Sequence, residues 1–119
     1  MIGVADGVGN WNEVDICSGK CSKYLTSKIG ELFEADQARD LKGMLFESVK
    51  ALTADQVEGS TTMVLAKLAS SDENHASAAT TMHTLNLGDS AYMLLRPQDN
   101  NAHMRKMFRS VEQQHSLFD

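Results

Sequence analysis

The chain has 119 residues, 42% hydrophobic and 23% charged, the composition of a single globular domain with room for a core. Its 16 acidic and 11 basic residues leave a net charge of -5, which argues against a broad electrostatic footprint for nucleic acid. No apolar run approaches the roughly 20 residues that cross a bilayer. The opening residues also lack a basic segment followed by an apolar core, so neither a membrane span nor a signal peptide is expected.

In chain order, Ile2-Gly3-Val4-Ala5-Asp6-Gly7-Val8-Gly9 reads first as a short buried strand that stops at an acid flanked by glycines. A carboxylate there is costly unless it is paired. A metal ion is one partner, and neighbouring glycines let backbone carbonyls come close to it. The plainer reading is an Asp-Gly turn. Asn10 to Gly19 is polar and loop-like, with Trp11 its one aromatic residue. From Lys20 to Ala35, apolar residues recur at Tyr24, Leu25, Ile29, Leu32 and Phe33, the spacing of an amphipathic helix that Gly30 weakens modestly. A polar break from Asp36 to Asp40 precedes a second helical stripe at Leu41, Met44, Leu45, Val49 and Leu52.

From Gly59 the period changes. Thr61 to about Leu68 predicts a strand, followed by a small polar loop from Ala69 to Ala79. Thr80 to Leu87 and Ala91 to Arg96 predict two more strands, with Gly88-Asp89-Ser90 as the hairpin turn between them. Pro97 to Asn101 is a second turn, and Met104 to Val111 predicts a last strand. A strand, two helices and three or four antiparallel strands make an α+β layout.

Cys17 and Cys21 lie four apart, a spacing that shares one face if both are helical. With no second cysteine pair and no histidine at zinc spacing, they read as reduced thiols of an intracellular protein. His75, His83, His103 and His115 are scattered and read as solvated or packed imidazoles.

Taken singly, Asp6 and Asp89 are turn residues. Taken with Gly59-Ser60-Thr61-Thr62 they complete a set of small-residue motifs in order: Val4 to Trp11, Gly59 to Thr62, Leu85 to Ser90, and Glu112-Gln113-Gln114-His115. With these motifs, over almost its whole length, the chain resembles the metal-dependent protein serine/threonine phosphatases of type 2C. Within them it is most similar to a branch with mitochondrial members. The resemblance implies two antiparallel sheets flanked by helices, here a partial α-β-β-α sandwich with two helices, and a metal site between the sheets. It implies that Asp6 bridges two Mn²⁺ or Mg²⁺ ions, that Gly7 offers one of them its carbonyl, and that Asp89 is associated with a third, weaker ion. Gly59, Ser60 and Thr61 match a structural motif packing a central strand under the site. Glu112 to His115 is a branch signature without an assigned chemical role.

The implied reaction is dephosphorylation of phosphoserine and phosphothreonine in proteins by a metal-activated water, which needs no protein nucleophile. Two positions depart from the broader pattern. Val8 stands where many members have a histidine, an absence shared by the most similar branch, and Asn10 replaces a glycine. The family's catalytic domain is about twice this length and draws further acidic ligands from segments on both sides. The chain is therefore expected to be the middle part of such a domain. The alternative is a non-catalytic phosphatase-like interaction or assembly module, told apart by whether acidic flanking segments exist. Expected partners are a phosphoprotein and, through exposed sheet edges, a second copy, with no nucleic acid or membrane. The mitochondrial and cytoplasmic compartments both stay open.

Overall fold

The computed structural model describes residues 1–70, 80–98 and 103–114. Helix α1 spans Gly19–Ala35 and α2 spans Leu41–Ala54. The strands are β1 (Ile2–Val4), β2 (Met63–Ser70), β3 (Thr80–Leu87), β4 (Met93–Pro97) and β5 (Met104–Arg109). They form an antiparallel three-stranded sheet in the order β1-β2-β3 and a separate antiparallel pair, β4-β5. The α+β class expected from the sequence is the one observed.

The core lies where both helical stripes meet β2. Cys21, Leu25 and Ile29 from α1, Leu41 and Met44 from α2, and Met63 and Leu65 from β2 form one buried cluster. Along β2 the alternation is regular: Met63, Leu65 and Lys67 are buried, while Leu68 is 71% exposed. Successive strand residues face opposite sides, and residues paired across strands share a side. The register therefore puts Ile2 and Ala66, Val4 and Val64, and Leu68 and Met82 on the face away from the helices. The second sheet reaches this chain of strands through Tyr92, whose hydroxyl lies 2.7 Å from Thr84 Oγ1. Tyr92 also stacks at a tilt on Phe108, with ring centroids 5.7 Å apart.

Helix α2 begins where its sequence says it should. Asp40 has extended backbone dihedrals, and its carboxylate accepts from the Gly43 N–H at 3.2 Å, a side-chain N-cap. Ser48 is buried on α2 in place of the expected Val49, its hydroxyl donating to the Met44 carbonyl at 2.8 Å. That bond removes the cost of burying a hydroxyl.

Four expectations require correction. The opening strand is not buried: Ile2 is 75% exposed, because its apolar residues face the uncovered side of the sheet. Gly88-Asp89-Ser90 is not a hairpin between β3 and β4. Strand β3 pairs with β2 and β4 with β5, so the turn carries the chain from one sheet to the other. The segment after Asp6 is not plain loop but a 3-10 helix at Gly9–Val14, and Asn10, within it, is not among the residues with positive φ. Cys17 and Cys21 do not share a helical face, since α1 starts at Gly19; Cys17 is exposed and Cys21 buried, both as free thiols. The loop predicted after Ala69, most of the turn after Pro97, and His75 and His115 lie outside the described residues.

Candidate functional site

Asp6 and Gly7 extend β1 beyond its formal end and run alongside the segment that leads into β2. The Thr62 N–H donates to the Asp6 carbonyl at 3.0 Å and the Val8 N–H to the Ser60 carbonyl at 3.0 Å. These two bonds bracket an antiparallel bridge between Gly7 and Thr61. A pair bracketed in this way is a non-hydrogen-bonded pair, so Gly7 and Thr61 spend neither N–H nor C=O on each other. The Gly7 carbonyl is thus free of the ladder and turned away from it. The alternation of β1 continues through this bridge: Gly7 faces the helices, and Asp6 lies, exposed, on the uncovered face.

Gly7 is held tightly on the helix side. An added Cβ would sit 2.0 Å from the Ser18 carbonyl oxygen, just ahead of α1. The loop in between is fixed by side chains. Ser18 N–H donates to Asn12 Oδ1 at 3.0 Å, and the Trp11 indole N–H donates to Ser60 Oγ at 2.7 Å. The lone tryptophan thereby ties the segment after Asp6 to the Gly59-Ser60-Thr61-Thr62 motif.

The Asp89 turn docks on the same motif. Thr62 Oγ1 and Ser90 Oγ are 2.7 Å apart, and Thr62 Oγ1 also accepts from the Asp6 N–H at 3.3 Å. One threonine hydroxyl therefore touches both acidic turns. Gly88 has φ +96, a left-handed conformation that glycine adopts freely, and an added Cβ would meet Thr62 Cγ2 at 2.9 Å. Gln113 clamps this glycine as well. Its backbone N–H donates to the Gly88 carbonyl at 2.9 Å, and its side-chain Oε1 accepts from the Gly88 N–H at 3.1 Å. Asn86 adds a brace, donating from Nδ2 to the Ser90 carbonyl at 2.8 Å, while its Oδ1 is buried with no partner among the described residues.

The structure thus brings together Asp6, Gly7, Ser60, Thr61 and Asp89 around Thr62. Gly59 lies just before, where an added Cβ would sit 3.1 Å from Cys21 Cβ. Sequence reasoning missed Thr62 and Ser90 as the hydroxyl pair joining the two turns. It also left the 112–115 signature without a role, and Gln113 now has one in the backbone of the Asp89 turn. Part of the signal was present in Ser90 beside Asp89 and in the Ser60-Thr61-Thr62 run, though the pairing itself is non-local. Burial raises the pKa of the Cys21 thiol, which makes it a poor nucleophile at neutral pH.

The donors match a hard divalent cation in kind: an exposed carboxylate and a main-chain carbonyl left out of the ladder. In number they are few. Among the described residues no three His, Cys, Asp or Glu side chains converge as a metal-holding group.

Comparison with known proteins gives relatives along nearly the whole chain. The chain is 37% identical over 118 residues to the protein phosphatase PTC7 homolog fig of Drosophila grimshawi, covering 96% of this chain and 34% of that protein. The homologues of the same name in Drosophila willistoni and Drosophila melanogaster are 34% and 33% identical over 125 and 122 residues, covering 98% of this chain and 34% of each relative. The chain spans about a third of the length of the curated relatives it matches. No family model and no solved structure matches it. Along nearly its whole length, then, the chain is similar to part of a protein phosphatase.

Proposed function

We propose that the chain belongs to the metal-dependent type 2C protein phosphatases and forms the middle part of a catalytic domain acting on phosphoserine and phosphothreonine in proteins. The observation that supports this most is the junction at Thr62, where one hydroxyl joins the Asp6 and Asp89 turns. In this reading the Asp6 carboxylate and the Gly7 carbonyl hold Mn²⁺ or Mg²⁺, and Asp89 serves a further, weaker ion. Bound divalent ions supply an acidified water and offset charge on the phosphoryl oxygens. The chain's own contribution is positioning. The Asp6–Thr62 and Val8–Ser60 bonds fix the Asp6 backbone, and the Ser18 carbonyl stops Gly7 from moving toward α1. Val8 brings no proton donor beside Asp6, so protonation of the leaving group falls to water.

The test is hydrolysis of an aryl phosphate by the full-length natural protein with and without Mn²⁺. Metal-dependent turnover is expected to drop by about 100-fold or more in Asp6→Asn, because altering even the outer partners of metal ligands costs about 10–100-fold. Turnover indifferent to chelator or to Asp6→Asn would falsify the assignment. The 119-residue chain alone is expected to turn over little, since its described donors cannot fill the six-oxygen shell usual for such ions.

The uncovered face favours self-association as a property of this chain. Ile2, Val4 and Leu68 are exposed on the first sheet, and Met93, Leu94, Leu95 and Phe108 on the second. A two-stranded sheet is marginal in water without packing on a face. The occupant we favour is a second copy, which would take Ile2, Val4 and Leu68 out of water against the same residues of its partner. Light scattering over a broad concentration range is expected to show dimers or larger species, and a strictly monomeric chain would count against it. An intracellular location, mitochondrial or cytoplasmic, accompanies the proposal.

A further inference from the structure

Lys67 is the one described lysine inside the fold. It projects from β2 toward the helices and is 6% exposed. Its ammonium donates to the main-chain carbonyl of Gln37 at 3.3 Å and to that of Arg39, both in the connection between α1 and α2. Two carbonyls satisfy two of its three N–H donors. Neither carries a charge, and no described carboxylate lies within ion-pair distance of it. A buried cation without a counter-charge is costly, and carbonyl dipoles compensate only part of that cost.

The same lysine borders a cavity of about 520 Å³, large enough for a small metabolite. His83 lines it as well and is the register partner of Lys67 on β3, so the two side chains stand side by side on one face. Lys42 and Asp40 add to the polar wall, and Leu41 and Leu85 give it apolar flanks. The single acid among the described lining residues is already engaged: Asp40 accepts the Gly43 N–H as the cap of α2. Lys42 rests over the Phe46 ring, 5.8 Å from its centroid. Among the described lining residues two lysines stand against one capped carboxylate, a positive balance in a protein whose net charge is -5.

We propose that this cavity binds a small organic anion, a carboxylate or phosphate carried on a short apolar body. The anionic head pairs with the Lys67 ammonium through its third N–H and with His83, and the apolar body lies against Leu41 and Leu85. The site stands on the helix side of the sheet, opposite the face that carries Asp6, so it is separate from the proposed phosphatase site and does not depend on that reading.

The experiment is an amide-resolved NMR titration of the ¹⁵N-labelled chain with two probes, inorganic phosphate and butyrate. Saturable shifts are expected at Lys67, His83 and the residues around Asp40 and Leu41, with Asp6 and Asp89 unmoved. Butyrate binding more tightly assigns a carboxylate with an apolar tail, and phosphate binding more tightly assigns a phosphate-bearing ligand. Lys67→Met keeps the apolar stem and removes the charge. It is expected to weaken binding by about tenfold or more, the loss of one charge-assisted hydrogen bond. His83→Ala, at an exposed position that leaves the core intact, is expected to weaken it too and decides the matter should Lys67→Met fail to fold. Absence of saturable shifts with both probes, or binding undiminished in the variants, overturns the proposal.

Discussion

Gly7→Ala is expected to destabilise the chain by about 1–3 kcal/mol, the usual cost of forcing an extra methyl into a filled space. The reason is the backbone it meets. An added Cβ would lie 2.0 Å from the Ser18 carbonyl oxygen and 2.9 Å from the Ser18 carbonyl carbon, with Ser22 Oγ at 3.5 Å. No rotamer change relieves contact with a main-chain carbonyl. Either the start of α1 retreats or the Asp6 segment peels away from Thr62. Because Asp6 and Val8 hold the ladder on both sides of Gly7, the second route breaks the Thr62–Asp6 and Val8–Ser60 hydrogen bonds together. The control is Gly9→Ala, two residues on, where an added Cβ finds nothing within 4 Å. Urea midpoints of the three chains check this: a large fall for Gly7→Ala beside a small change for Gly9→Ala. Equal midpoints for both variants would show that Ser18 yields at no cost.

This contrast marks how far the sequence could be read. That Asp6 sits among glycines was plain from Asp6-Gly7-Val8-Gly9, but which glycine is indispensable was not, because the oxygen that crowds Gly7 comes from Ser18. Helical periodicity is local and was legible: Leu25 and Ile29 on α1, and Leu41 and Met44 on α2, are core residues as their spacing requires. Strand β3 likewise has the bounds its residues predict, Thr80–Leu87. Pairing is non-local and was not legible. Gly88-Asp89-Ser90 has the chemistry of a hairpin turn, yet Gln113, 25 residues away, holds Gly88 and the chain crosses to a second sheet. Buried polar residues escaped for the same reason. Lys67 is apolar along its stem, and only the fold reveals the Gln37 and Arg39 carbonyls that receive its ammonium. At the candidate site, Asp6, Gly7 and Asp89 were visible as motif residues, whereas the Thr62–Ser90 hydroxyl pair required three dimensions.

The other large effect belongs to the core. Met63→Ala is expected to cost about 2–5 kcal/mol, the range for truncating a fully buried methionine, leucine or isoleucine. Met63 is 0% exposed and stands where β2 meets Cys21, Leu25 and Ile29 of α1 and Met44 of α2. The described core is small, seven buried apolar residues, so neighbours have few ways to close the space left behind. Domains of this size are commonly stable by only about 5–15 kcal/mol, so a loss at the upper end leaves a large unfolded fraction at room temperature. The site suffers indirectly, because Met63 follows Thr62 directly and β2 carries the threonine that joins both acidic turns. Two comparisons isolate the cause. Met63→Leu conserves volume and is expected to cost less than about 1.5 kcal/mol. Leu68→Ala removes a side chain of similar size from the exposed face of the same strand and is expected to change monomer stability little. Denaturant midpoints in dilute solution, where association through that face is suppressed, should therefore rank Met63→Ala far below the other two. Parity between Met63→Ala and Leu68→Ala would mean that the helices do not press on β2 in solution, and the packing that holds Thr62 beneath Asp6 would fall with it.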